Sequence, residues 1–227
     1  MVRFAGPGRG GAIADIIIGN VNPSGKLTVS YPLTYDDVPS SLYFPFNKND
    51  PSTVNYNDDI YVGYRYYSTF DIDTAFEFGY GLSYTTFSYT DLKVDSRKLR
   101  ESIKLTLRVT NKGSTLGKEV VQLYISAPGN AMDKPVRELK KFAKTKLLKP
   151  QETELLTFFI TADDLASFNV NKSSWVVEPG KYELQIGASS KNIKLVKEII
   201  VEKDIVTEKV NAVLNPQVLL VPGFKKH

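Results

Sequence analysis

From Phe87 to Val201 apolar and polar residues alternate again and again with a period of two. That period demands strands with one buried and one wet face. It is clearest at 101–111, where Ile103, Leu105, Leu107 and Val109 alternate with polar neighbours before the turn signal Asn111-Lys112-Gly113-Ser114. Segment 119–126 sets Val121, Leu123 and Ile125 against Val120, Gln122 and Tyr124. After a loop from Pro128 to Pro135 come a lysine-rich strand at 136–147 with Leu139 and Phe142, and a further strand from Leu155 to Ile160. Thr161-Ala162-Asp163-Asp164 has the form of a capping box and opens one helical turn through Leu165 and Phe168. Trp175–Gly180 leads into Tyr182, Leu184 and Ile186, and Ile193–Val201 closes the set. About seven short strands punctuated by turns predict an immunoglobulin-like β-sandwich, with Trp175 expected in its core. The chain has no cysteine, so the cysteine pair of antibody domains is missing and a fibronectin type III-like variant fits better.

The same composition excludes whole classes of chemistry. Without cysteine there are no disulfides, thiol nucleophiles or thiolate metal sites. The only histidine is the last residue, His227, which removes histidine-based triads and multi-histidine metal centres. No metal or organic cofactor is expected. Net charge is +4, but residues 86–227 carry 24 basic and 16 acidic side chains. Those cations are spread singly among acids, the pattern of a solvated mixed-charge surface, and no nucleic-acid partner is expected. No apolar run approaches the ~18–20 residues of a membrane span, so no membrane partner is expected either. MVRFAGPGRGG lacks the apolar region of a secretory signal, and the expectation is a cytoplasmic chain.

Residues 1–40 have a different texture. Ile13, Ile16 and Ile17 share a helix face, and Gly19 stands where a helix-terminating glycine belongs. Pro23-Ser24-Gly25 then turns into Lys26–Tyr31, read as a strand stopped by Pro32. One helix and one strand cannot bury both their faces, so this part reads as the truncated end of an α/β/α sandwich domain. Residues 41–85 read as an aromatic irregular linker: 15 of the 26 aromatic residues fall between Leu42 and Thr90. A surface this aromatic is not left in water. It packs on another domain or stacks sugars, and the candidate residues are Tyr61, Tyr64, Arg65, Tyr66, Tyr67, Phe78, Tyr80 and Tyr84. Residues 86–203 are the sandwich, and 204–227 a tail with a possible extra strand.

Gly10-Gly11-Ala12-Ile13-Ala14-Asp15, Gly19-Asn20-Val21-Asn22-Pro23-Ser24-Gly25-Lys26-Leu27, Tyr61–Tyr67 and Phe78–Phe87 occur in this order. Val109–Gly113, Gly117–Tyr124 and Pro135–Lys140 follow them. Together they resemble the C-terminal part of glycoside hydrolase family 3 β-glycosidases. The resemblance implies a β/α barrel and an α/β/α sandwich domain as partners, and hydrolysis of β-glucosides or β-xylosides by two carboxylates ~5–5.5 Å apart. In that family the nucleophilic aspartate lies in the barrel. The acid/base glutamate precedes the Gly-Gly-Ala helix with which this sequence opens. The resemblance therefore implies that this chain carries neither, and alone it is expected to be inactive.

The acids that are present read differently. Asp36-Asp37 and Asp58-Asp59 lie among turn formers, and Asp163-Asp164 opens a helical turn. Gly6–Gly11 lacks the spacing of a phosphate-binding loop. Asn171-Lys172-Ser173 is a glycosylation sequon by pattern only. A rival reading from another class is a free-standing carbohydrate-binding or adhesive sandwich that uses the aromatic patch on an oligosaccharide. Left without its partner domains, the aromatic segment is expected to drive self-association.

Overall fold

The computed structural model describes residues 9–42, 59–129 and 131–211. Helix α1 (Arg9–Ile17) ends as expected, with Gly19 at φ +82°, a conformation that costs glycine little. The strand expected at 26–31 does not form. Leu27 instead exchanges backbone hydrogen bonds with the Gly79–Tyr80 segment at 2.8 Å, and only β1 (Tyr31–Pro32) pairs, with β2 (Thr74–Phe76). Pro32 thus lies inside a two-residue strand rather than ending a longer one. Between β1 and β2 lies a short helix, α2 (Tyr64–Thr69).

The remainder is a sandwich. One sheet orders β3 (Phe87–Val94), β4 (Ser102–Asn111) and β7 (Thr153–Thr161). The facing sheet orders β11 (Ile193–Val201), β10 (Gly180–Gly187), β5 (Val120–Ser126) and β6 (Glu138–Lys144). All pairings within them are antiparallel. The alternation read from the sequence sets the core. Ile103, Leu105, Leu107 and Val109 of β4 are fully buried against Val121, Leu123, Leu184 and Ile186. The capping box forms at α3 (Ala162–Leu165): Asp164 accepts the Thr161 N–H at 3.0 Å and its hydroxyl at 3.2 Å.

A third sheet was not legible beforehand. It orders β12 (Ile205–Lys209), β9 (Ser174–Val177) and β8 (Ser167–Asn169). β12 is the extra strand expected from the tail; the apolar run Val218–Val221 lies outside the described residues. This sheet corrects two expectations. Phe168 lies in β8 rather than in the helical turn, which stops at Leu165, and is 41% exposed; Trp175 is not core but 40% exposed, the two rings meeting edge to face at 5.6 Å. β9 buries Ser174, Val176 and Val177, and Trp175 lies beyond the reach of the main core.

Asn111, at the end of β4, is fully buried and satisfied on both sides of its amide. Its Nδ2 donates to the carbonyls of Thr115 (2.8 Å) and Leu148 (3.0 Å). Its Oδ1 accepts from the Gly113 N–H at 3.1 Å and the Thr85 hydroxyl at 2.5 Å. Thr85 closes the aromatic segment, so this network fixes where that segment joins the sandwich.

Candidate functional site

The aromatic segment from Asp59 to Thr85 lies on the outer face of the β5–β6–β10 layer. Sequence logic accounts for the landing place: β5 is apolar on both sides, and Gln122 and Tyr124 are as buried as the core-facing residues between them. Tyr64 stacks on Phe78 with ring centres 4.6 Å apart and meets Tyr124 edge-on at 5.9 Å. Its hydroxyl accepts the Leu139 N–H at 2.7 Å, which ties α2 to strand β6. Next to it, Arg65 pairs with Glu138 of the same strand at 3.0 Å. Tyr61 is fully buried, packs edge-on against Phe70 at 5.0 Å and donates its hydroxyl to the carboxylate of Asp133. Tyr67 is buried too, with Tyr66 edge-on at 5.4 Å.

Burial is the main force on the acid–base chemistry of these rings. It pushes the Tyr61 phenol well above its ordinary value, helped by the neighbouring Asp133 carboxylate. It raises Tyr64 as well, against the opposing pull of the Leu139 N–H. Tyr66 and Tyr67 are raised by burial first, then Tyr66 by the field of Asp37 and Tyr67 by Tyr66 and Asp37. All four remain protonated hydrogen-bonding groups at neutral pH. None is an acid or a base in the physiological range.

Further polar ties run the length of the segment. The Phe78 carbonyl accepts the Ser190 N–H at 2.9 Å, and Glu77 accepts the Ser189 hydroxyl at 2.6 Å. Thr69 accepts the Val136 N–H at 3.0 Å, and Lys191 reaches the Ile72 carbonyl at 3.1 Å. Gln122 donates to the carbonyls of Gly79 and Ala188 and accepts from the Tyr124 hydroxyl.

Tyr80 and Tyr84 face the other way. Tyr80 packs on Phe76 at 5.2 Å while its carbonyl accepts the Leu27 N–H. The Tyr84 hydroxyl donates to the Ile16 carbonyl at 2.8 Å, and its N–H to the Asn22 amide oxygen at 2.9 Å. Asn22 in turn donates to the Leu116 carbonyl at 2.8 Å, and Lys26 pairs with Glu119 at 2.8 Å. The segment is thus a two-sided fastening. Tyr61, Tyr64, Arg65 and Phe78 grip the sandwich, Tyr80 and Tyr84 grip the N-terminal stretch, and Tyr67 is buried against Tyr66 within the segment. Tyr66 is half-buried between them.

Gly79 shows how tight the fit is. It has φ +81°, and a Cβ built there would stand 2.2 Å from the Gln122 side-chain oxygen. Gly79→Ala combines backbone strain with overpacking and is expected to lower stability by about 2–4 kcal/mol. Urea denaturation checks this; a loss below about 0.5 kcal/mol would show that the contact is slack.

The partners on the sandwich side were missed in the sequence. Tyr124 left a trace in the apolar second side of β5, whereas Asp133 and Ser190 left none. The acid pairs have structural duties. Asp37 caps the turn after Thr34, and Asp164 caps α3 and pairs with Lys141 at 2.7 Å. Asp59 occupies a turn at φ +47°, and Asp58 lies outside the described residues. Among the described residues no group of three or more acids or histidines is placed to hold a metal ion, and no helix is long and apolar enough to cross a membrane.

Residues 1–84 match the glycosyl hydrolase family 3 C-terminal domain, and residues 119–190 the fibronectin type III-like domain. The thermostable β-glucosidase B of Acetivibrio thermocellus is 38% identical over 204 residues, covering 89% of this chain and 26% of that protein. The β-glucosidase of Kluyveromyces marxianus is 42% identical over 206 residues, covering 89% of this chain and 23% of that protein. Among solved structures, β-glucosidase 3B of Thermotoga neapolitana in complex with α-D-glucose superimposes with a TM-score of 0.83 at 48% identity, over 90% of this chain and 28% of that one. The chain spans about a quarter of the length of the relatives it matches. The shared sandwich, the two domain matches and this coverage agree: the chain belongs to glycoside hydrolase family 3 and corresponds to the C-terminal part of its β-glucosidases, fibronectin type III-like domain included.

Proposed function

We propose that this chain is a non-catalytic portion of a β-glycosidase acting on β-glucosides or β-xylosides, and that it stabilises and orients the catalytic domains. Both catalytic carboxylates then belong to parts of the enzyme outside this sequence. The two-sided fastening carries this reading. Residues 59–85 lock the N-terminal stretch to the sandwich through Tyr84–Ile16, Tyr64–Leu139 and Arg65–Glu138. That stretch also exposes large apolar side chains, among them Ile17, Ile18, Leu33 and Tyr35. A monomer has no use for such a surface, and a neighbouring domain does. The rival, an oligosaccharide platform, needs open ring faces. Tyr64 and Phe78 stack on each other, and Tyr61 and Tyr67 are buried, which favours packing.

The test has two arms. The chain alone is expected to leave aryl β-glucosides and β-xylosides uncleaved; hydrolysis that follows it through repurification would overturn the reading. In the second arm, this chain replaces the matching portion of the Thermotoga neapolitana enzyme. The chimera is expected to hydrolyse aryl β-glucosides, and an enzyme with that portion deleted to lose activity at least about 100-fold. A deletion as active and heat-stable as the intact enzyme would remove the orienting role.

A further inference from the structure

We propose that the outer edge of β11 is a self-pairing surface through which two copies of this chain associate antiparallel, about a two-fold axis at Val196. β11 lies at the edge of its four-stranded sheet and pairs within it only with β10. Its free side already bonds once. Ile200 donates to the Arg97 carbonyl at 2.7 Å and accepts the Leu99 N–H at 3.3 Å, a single parallel bridge.

In an extended strand the N–H and C=O of one residue point the same way, and their direction alternates along the chain. What Ile200 offers outward, Glu198 and Val196 offer too. Among the described residues, no backbone group bonds them on that side. A register shift against β10 between Ile186 and Gly187 marks a bulge at Lys194 and ends the flat run. Beside this edge runs a groove of about 760 Å³ lined by Leu92–Arg97 and by β11 itself, with room for the inward side chains of an added strand.

The side chains select the occupant and the register. Lys194, Val196 and Glu198 are all exposed. An antiparallel copy centred on Val196 sets Val196 against its own symmetry mate. It also brings Glu198 to the end of the flat run, beside Lys194 of the other copy, twice over. Centring on Lys197 opposes two lysines, and centring on Glu198 opposes two glutamates. Opposite charges directly across a strand pair stabilise, and like charges destabilise. Glu198 has a motive of its own. Its direct neighbour on β10 is Glu183, and Lys181 alone offsets it, at 2.8 Å. A two-fold pair of this kind is self-complementary and closed. It is short of the ~800 Å² per partner of a standard interface, so dissociation is expected at about 10–100 µM.

Sedimentation of the full chain across concentrations tests this. The chain is expected to dimerise in that range. Val196→Pro removes a donor that faces away from β10, so it is expected to give a monomer with an unchanged unfolding midpoint. Glu198→Lys is expected to weaken association at least about tenfold, and Lys194→Glu combined with Glu198→Lys to restore it to within about threefold. A wild-type chain that stays monomeric at about 1 mM overturns the proposal. So does a dimer insensitive to Glu198→Lys, or one lost only when Tyr64, Tyr66 and Tyr67 become serine, which would place association on the aromatic segment. Should Val196→Pro fail to fold, the charge-swapped pair decides.

Discussion

Raised through pH 10 and beyond, the protein is expected to unfold in one cooperative step, with a steep burst of tyrosine ionisation at the same pH. Tyr89, Tyr124 and Tyr182 are the cause. Tyr124 and Tyr182 are fully buried and Tyr89 nearly so, in and beside the sandwich core. Burial pushes all three phenols far above their ordinary value of 10.0. Glu119 adds to the effect at Tyr89, Tyr64 at Tyr124, and Glu178 at Tyr182. Tyr182 donates to the Glu178 carbonyl at 2.9 Å and Tyr124 to Gln122, bonds that exist only while the phenols keep their protons.

The sign follows from proton counting. Above pH 10 the unfolded chain releases these protons and the folded chain holds them. The stabilisation is therefore complete below pH 10 and falls as pH rises toward the folded-state values. Each such tyrosine costs about 1.4 kcal/mol per pH unit, so three cost about 4 kcal/mol per unit. Against a total stability of about 5–15 kcal/mol, the midpoint should fall between about pH 11 and 14. Tyrosinate absorbance and far-ultraviolet circular dichroism, followed together, check it. A shallow titration of all tyrosines near pH 10 with dichroism intact would show that the core is open to hydroxide.

How much of this was legible depends on where the information lies. The β4 alternation predicted its own burial, because a half-buried strand writes its environment into every second residue. The α3 capping box and the glycine after α1 were equally local, each fixed by neighbours within four residues. Lys26–Tyr31 failed because its hydrogen-bonding partner is the Gly79–Tyr80 turn, some fifty residues on. Trp175 failed because its strand belongs to the third sheet, where its ring lies exposed beside Phe168 while the neighbouring Ser174 and Val176 are buried. The aromatic segment was legible as a surface to be covered, but its cover was not. Tyr64 finds Tyr124, and Tyr61 finds Asp133, 72 residues away. The buried Lys134–Glu178 pair was the least legible, since a lone lysine and a lone glutamate in loop-like sequence read as surface residues.

That pair carries the other large expected effect. Lys134 and Glu178 are 3% and 6% exposed in their side chains and meet at 2.6 Å. Lys134 sits in the loop between β5 and β6, and Glu178 just after β9. The second oxygen of Glu178 accepts the Ala131 N–H at 2.9 Å, so one carboxylate fastens the loop twice. The same loop holds Asp133, the acceptor of the Tyr61 hydroxyl, and through it the aromatic segment is anchored at that end. Lys134→Met leaves a buried carboxylate without its cation and is expected to cost about 3–5 kcal/mol. At about 2–4 °C per kcal/mol for a chain of this size, the midpoint should fall by roughly 6–20 °C. Removing both charges is different in kind. Lys134→Met with Glu178→Leu takes away the desolvation penalty together with the attraction, and is expected to recover all but about 1–2 kcal/mol, the remainder reflecting the Ala131 N–H left without its acceptor. Proteolysis gives an independent reading: in Lys134→Met alone, cleavage in the loop at 128–135 should speed up first, because its tether to β9 is gone. If the single variant loses less than about 1 kcal/mol, or the double variant loses as much as the single, the pair is not what holds the loop, and the anchoring of Tyr61 must come from the ring packing against Phe70.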